Sequence, residues 1–405
     1  MRIKEFAHWT EAVGASETLK TAAKVASLKS EGKQVINFGA GEPDFNTPSA
    51  IIEAAHKAML EGKVRYTSER GIEPLRKAAA QKTEALYGIS YDPIRETIIT
   101  SGAKQAIFAA LCALLNPDDE VLVLAPYWVS YPAMVKIAQG TPVIISTRLE
   151  DSFLPYIPRL KQAMNERTKV LILNTPNNPS GCVYPEKLVR EIVNLCIERN
   201  IFIISDEVYD RLVLTDRVRH FSPAMVGEDA RSHCLQVFSC SKTYAMTGYR
   251  VGYGHGPEVL ITNMAKYIGQ STSCVNGAAQ YAALYALSSA DADRAAEEMR
   301  RQFIRRKEKT VLLLRSIPKI RFVEPSATFF VLVSIKSYLG KETPKGVLIK
   351  DDAAFCEALL DEEYVATISG TAFGAPGCIR ISFATSDEEI ENGCEKIKKF
   401  LASLK

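Results

Sequence analysis

The chain has 405 residues, of which 47% are hydrophobic and 24% charged, enough to bury a large core spread over two or three domains. Its 50 basic and 47 acidic residues leave a formal net charge of +3, and their even scatter gives no support to a nucleic-acid or anionic-membrane surface. Nine cysteines at irregular spacing, with no C-x-x-C pair and no accompanying histidine pattern, fit free thiols in a reducing cytoplasm and speak against disulfides or a metal site.

In chain order, Met1 to Trp9 carries Arg2, Lys4 and Glu5 and lacks the apolar run of a signal peptide. No later stretch reaches the roughly 18 apolar residues of a membrane span, so a cytoplasmic protein is expected. Thr47 before Pro48 reads as an N-cap with proline in the first turn, opening a helix with Ile51, Ile52, Ala55 and Leu60 that Gly62 ends. From Thr97 the pattern changes. Short apolar runs at 97–100, 121–124, 143–145, 170–173, 201–204 and 235–238 alternate with helix-like stretches, which predicts an α/β fold with a mostly parallel sheet sandwiched by helices. Asp291 to Leu314 reads as one long amphipathic helix. Beyond it, Arg321 to Val333 and Cys378 to Phe383 read as strands, with Asp351 to Leu360 helical between them. The expected division is a large domain over 48–300 and a smaller α+β domain over 301–405, with 1–47 packing against the latter.

Five segments carry chemistry. Ser239 to Gly252, SCSKTYAMTGYRVG, follows an apolar strand and sets Lys242 among small hydroxyl residues, eight positions before Arg250. A lysine at a strand end is placed to form a Schiff base with a carbonyl cofactor, and Ser239 and Arg250 are suited to a phosphate; an exposed loop lysine is the plain alternative. In IFIISDEVY an apolar strand delivers Asp206 to its carboxyl end, where ligands of open α/β sheets bind. A buried carboxylate there can pair with a protonated pyridine nitrogen, with Tyr209 donating to the ring oxygen; the alternative is a helix cap. Thr100 to Ala106, TSGAKQA, offers backbone N–H groups at a helix start for a phosphate. Asn178 in NTPNNPSG sits at another strand's carboxyl end, although such clusters usually make turns. Arg380 interrupts the apolar run GCIRISFA, which suits either a substrate carboxylate held bidentately or an internal ion pair. Gly252-Tyr-Gly-His-Gly256 has the wrong spacing for a dinucleotide fingerprint and is set aside.

Taken together, these segments resemble the class I aminotransferases of pyridoxal phosphate (PLP) fold type I. AGEPDF (Ala40 to Phe45), RYTSERGIEPLR (Arg65 to Arg76) and PYWVSYP (Pro126 to Pro132) extend the likeness, in family order, over nearly the whole chain. The resemblance implies that Lys242 carries PLP as an aldimine and later moves the proton between substrate and cofactor in a ping-pong reaction. It implies that Asp206 pairs with the ring nitrogen, that Asn178 and Tyr209 bind the ring oxygen, and that Trp128 stacks on the ring. Ser239, Arg250 and the turn Gly102, Ala103 and Lys104 would hold the phosphate, with Tyr66 reaching across from a second subunit of a homodimer. Arg380 and the Gly41 backbone would hold the substrate α-carboxylate, with Trp128 and Asn178 lining the substrate site. The nearest likeness is to bacterial aspartate aminotransferases whose turn reads GxKQA, here Gly102 to Ala106, in which Lys104 would meet the side-chain carboxylate of an amino acid or 2-oxo acid such as 2-oxoglutarate. Val13 to Thr18 lacks a lysine expected in some relatives, and Ser273-Cys-Val-Asn276 replaces a Thr/Ser-Pro run, so aromatic, broad or prephenate preference and a PLP lyase on the same fold stay open. A regulator built on this domain would need a DNA-binding segment, and no basic helix-turn-helix stretch precedes residue 47.

Overall fold

The computed structural model describes residues 6–7 and 9–405; most of the charged N-terminal stretch weighed against a signal peptide lies outside them. After a two-residue strand β1 (Ile36–Asn37) come the seven strands of the main sheet: β2 (Thr97–Thr100), β3 (Glu120–Ala125), β4 (Thr141–Ser146), β5 (Thr168–Asn174), β6 (Phe202–Asp206), β7 (Cys234–Ser239) and β8 (Gly252–His255). Their spatial order is β2-β8-β7-β6-β5-β3-β4. The pairings β3 with β4 and β5, β5 with β6, and β6 with β7 are parallel, and β8 alone runs against its neighbours β2 and β7. β2, β3 and β7 are buried along their whole length while the edge strand β4 is mostly not, which is why the central strands read as unbroken apolar runs. Each fully buried Val or Leu of β3 contributes about 1.5–3 kcal/mol over an exposed one. Because these strands are parallel, Ala125, Asn174, Asp206 and Ser239 all end on one edge of the sheet.

All six predicted strands are present, and the α/β class with a mostly parallel sheet holds. Strand β8 is the one strand of the main sheet that the sequence did not offer, since its glycine-rich segment shows no apolar run. Gly252 is required by close approach: a Cβ there would stand 2.5 Å from the Ala103 backbone nitrogen and 2.6 Å from the Gly102 carbonyl carbon. The helix after Pro48 forms as Ser49–Leu60, but Thr47 does not cap it. Its hydroxyl instead donates to the Ala245 carbonyl at 2.6 Å, tying the helix entry to the loop after Lys242.

The long helix forms as Ala290–Arg315, capped by Ser289. Its first half packs Ala292, Ala296 and Met299 with the helices and strands of the main sheet, and its second half packs Phe303 and Leu314 into another core. That second core surrounds an antiparallel sheet of β9 (Arg321–Phe322), β10 (Phe330–Ser334), β12 (Ile368–Ser369) and β13 (Cys378–Ser382), in the order β12-β13-β10-β9. The stretch 321–333 is thus two strands rather than one. A turn through Pro325 and Thr328, whose φ is +65°, separates them and packs on Gly181. β1 pairs in parallel with β11 (Val365–Ala366), joining the N-terminal segment to the C-terminal part of the chain.

Candidate active site

A cleft of about 540 Å³ opens at the carboxyl edge of the main sheet and reaches Arg380 on β13. Its lining includes Gly41, Ala103, Lys104, Trp128, Asn178, Asp206, Tyr209, Ser239, Lys242, Arg250 and Arg380, with Gly102 immediately beside it. Residues separated by up to 339 positions thus converge on one site.

Lys242 lies in the short helix Cys240–Thr243 directly after β7, and Ser239 caps that helix by accepting from the Ser241 amide. Its Nζ donates to the Gly41 carbonyl at 2.7 Å. Burial pushes its pKa down to about 8; Glu42 opposes that fall, while the Arg380 and Arg250 cations reinforce it. A lysine so tuned carries a sizeable neutral fraction near physiological pH, the form that can attack a carbonyl or accept a proton. Its burial and placement are not those of an exposed loop lysine.

Asp206 ends β6 and is buried. No helix follows it, so capping is not its role; its Oδ2 accepts from the Tyr131 hydroxyl at 2.5 Å and its Oδ1 from the Val208 amide at 3.3 Å. Burial pushes its carboxyl up to about 6 against the opposing pull of those two donors. Tyr209 is also buried, and its phenol is pushed up by burial, with Arg380 and its hydrogen-bond partner Asn178 acting the other way.

Arg380 is 2% exposed. One guanidinium nitrogen donates to Asn178 Oδ1 at 3.1 Å and the other to the Gly39 carbonyl at 3.0 Å, while Nε is buried without a partner. The rings of Phe330 and Phe373 lie 4.2 and 4.8 Å from the guanidinium carbon. Among the described residues no carboxylate pairs with it, which removes the internal ion pair as an explanation. Burial alone pulls its pKa down to about 10, so it is a desolvated cation prepared for an anion.

At the other side, the helix Ala103–Leu114 points its first turn at the cleft after Gly102, whose φ is +80°. A Cβ on Gly102 would meet an Arg250 guanidinium nitrogen at 2.4 Å; the turn and Arg250 therefore form one cradle, with Ser239 and Ser241 alongside. Arg250 itself holds a left-handed φ of +56° and donates to the Thr247 carbonyl at 2.8 Å. Lys104 places Nζ 4.8 Å above the Trp128 ring and has no carboxylate partner among the described residues. Burial and then the neighbouring Arg250 lower its pKa. Tyr66 does not line this cleft and is 90% exposed. Two residues that do, Tyr131 and Ser241, escape the sequence reading: each sits inside a recognised block, but nothing in the pattern says which way its hydroxyl points.

A cradle of helix N–H groups, two hydroxyls and an arginine fits a phosphate. A half-buried lysine and a buried carboxylate beside it fit the aldehyde and ring nitrogen of PLP, in a volume usual for a cofactor. The sheet and this cleft define an α/β enzyme of the cofactor-dependent kind. Residues 33–397 match the family model for aminotransferases of class I and II, and the chain belongs to that family; it is an aminotransferase, and the cofactor of the family is PLP. It is 39% identical to the aspartate/prephenate aminotransferase of Thermus thermophilus over 96% of this chain and 97% of that one. To the Bacillus subtilis aspartate aminotransferase it is 37% identical, covering 95% and 96%. Among solved structures, the Rhizobium meliloti aspartate aminotransferase superposes with a TM-score of 0.94 at 36% identity, covering 99% of this chain and 100% of that one. The Thermus thermophilus enzyme with maleate gives 0.92 at 38% identity, covering 98% and 100%.

Proposed function

We propose that the chain transfers the amino group of a dicarboxylic L-amino acid, aspartate foremost, to 2-oxoglutarate. The observation that carries this reading is a pair of cations, Arg380 and Lys104, that line one cleft and have no carboxylate partner among the described residues. Two carboxylates on one substrate satisfy both. A relative solved with the dicarboxylate maleate, and relatives named for aspartate, support it. Prephenate is the second acceptor to consider, since the Thermus relative is named for it as well.

In this reading PLP, when bound, supplies an electron sink for the charge left when the substrate Cα loses its proton. Lys242 would hold the cofactor through Nζ, and that same nitrogen would take the substrate Cα proton; its lowered pKa suits both tasks. Asp206 holds a proton on the ring nitrogen, and Asn178 and Tyr209 bind the ring oxygen. Trp128 covers the ring, while Gly102, Ala103, Lys104, Ser239 and Arg250 surround the phosphate. Arg380 fixes the α-carboxylate and so orients the Cα–H bond, with Gly41 at the same end of the cleft. Orientation of that kind favours transamination over a lyase reaction, although fold alone does not decide it.

The same reading makes the working unit a homodimer in which Tyr66 serves the neighbouring site. Tyr66, Val64, Leu60 and Met59 leave an apolar surface uncovered on the single chain. It also divides the chain into 48–300 and 301–405, with 1–47 joining the latter, and places it in the cytoplasm. Among the described residues no helix is long and apolar enough to cross a membrane. The test is a panel of amino acids mixed with holoenzyme in single-turnover absorbance experiments. Aspartate and glutamate should convert the bound cofactor fastest; fastest conversion by phenylalanine or alanine would refute the acidic-substrate assignment.

A further inference from the structure

Asp206 has few donors for a carboxylate so deeply buried. Among the described residues only the Tyr131 hydroxyl at 2.5 Å and the longer Val208 amide contact at 3.3 Å reach it, and each unmet lone pair in a buried site carries a desolvation cost. Tyr131 is 1% exposed and begins the helix Tyr131–Ile137, where its amide donates to the Trp128 carbonyl at 3.0 Å. Its ring meets the Trp128 ring edge to face, with centroids 5.4 Å apart and planes at 83°. One side chain therefore touches both the buried carboxylate and the aromatic cover of the cleft.

We propose that Tyr131 is a positioning residue that keeps Asp206 anionic and aimed into the cleft through its hydroxyl while its ring backs Trp128. This rests on the reading that Asp206 pairs with the cofactor's ring nitrogen. Burial and the adjacent Asp206 charge push the phenol far above its ordinary range, so Tyr131 stays a donor at every working pH. With it, one oxygen of Asp206 is fixed and the carboxylate is stabilised as the anion. Without it, the proton affinity of Asp206 rises and the proton moves from the ring nitrogen toward the carboxylate.

Tyr131→Phe in the holoenzyme removes the hydroxyl and keeps the ring. Loss of a hydrogen bond to a charged group predicts a fall in kcat for aspartate of about ten-fold or more, with KM changed by less than about two-fold because substrate contacts are untouched. The acid limb of the kcat profile moves to higher pH by about one unit, and the pH titration of the holoenzyme's visible absorption band shifts its midpoint. Tyr131→His, which restores an N–H donor, recovers part of the kcat. In an Asp206→Asn background Tyr131→Phe adds no further loss. If Asp206→Asn is severely impaired while Tyr131→Phe keeps wild-type kcat and titration, the role of Tyr131 is overturned and that of Asp206 stands. Equal losses in Tyr131→Phe and Tyr131→His with an unmoved titration overturn it too. Near-wild-type kcat in Asp206→Asn overturns the reading of Asp206 itself.

Discussion

Replacing Lys104 by serine separates a substrate-recognising ammonium from one that only balances phosphate charge. A contact between an ammonium and a carboxylate contributes about 1.5–3 kcal/mol when well desolvated. Lys104 lines the cleft but keeps part of its side chain in solvent, which favours the lower part of that range. It must also leave its position 4.8 Å over Trp128, forgoing about 0.5–1 kcal/mol of cation–π attraction. The net is about 0.5–1.5 kcal/mol, or a loss of roughly 2- to 13-fold in kcat/KM for aspartate. Phenylalanine and alanine have no distal carboxylate and should lose less than about two-fold. The assay is steady-state kcat/KM for the three amino acids with one common 2-oxo acid, at matched cofactor occupancy. Equal losses for all three, or none for aspartate, would show that Lys104 does not read the distal carboxylate.

Two further outcomes concern the frame around the site. Gly252→Ala drives a Cβ against the backbone of Ala103 and Gly102, atoms that cannot swing aside; a destabilisation of about 1–3 kcal/mol with weakened PLP affinity is expected, and a variant matching wild type in both thermal melt and cofactor titration contradicts it. His255 is buried between the hydroxyls of Thr83 and Thr97, 3.0 Å from each, and burial pulls its pKa down to about 3 from 6.5. The unfolded chain then binds the extra proton between those values, so this contribution is intact above about pH 6.5 and falls by about 1.4 kcal/mol per unit as the pH drops toward 3. Urea titrations should show a flatter acid slope for His255→Gln; an unchanged slope would place the loss elsewhere.

The sequence by itself determined six of the seven strands of the main sheet, the long helix and most of the cleft lining. The central strands are buried on both faces, so each announced itself as an apolar run, while the edge strand β4 showed only the short run 143–145; cleft-lining residues fall at the carboxyl ends because parallel strands all finish on one edge. Lys242, Asp206 and Asn178 were legible for that reason, and Arg380 because a cation inside an apolar strand demands a partner. Tertiary structure alone decided that no carboxylate among the described residues is that partner, since this depends on which charged groups approach across the cleft. It alone made a strand of the glycine-rich 252–255 segment, whose reason is the closeness of the Gly102 turn rather than any periodicity. It turned Thr47 from a cap into a tether to Ala245, because a hydroxyl takes the acceptor that packing brings nearest. And it brought Tyr131 to Asp206, 75 residues away: sequence spacing fixes the face from which a side chain leaves its own element, but the group it meets is set by how separate elements pack.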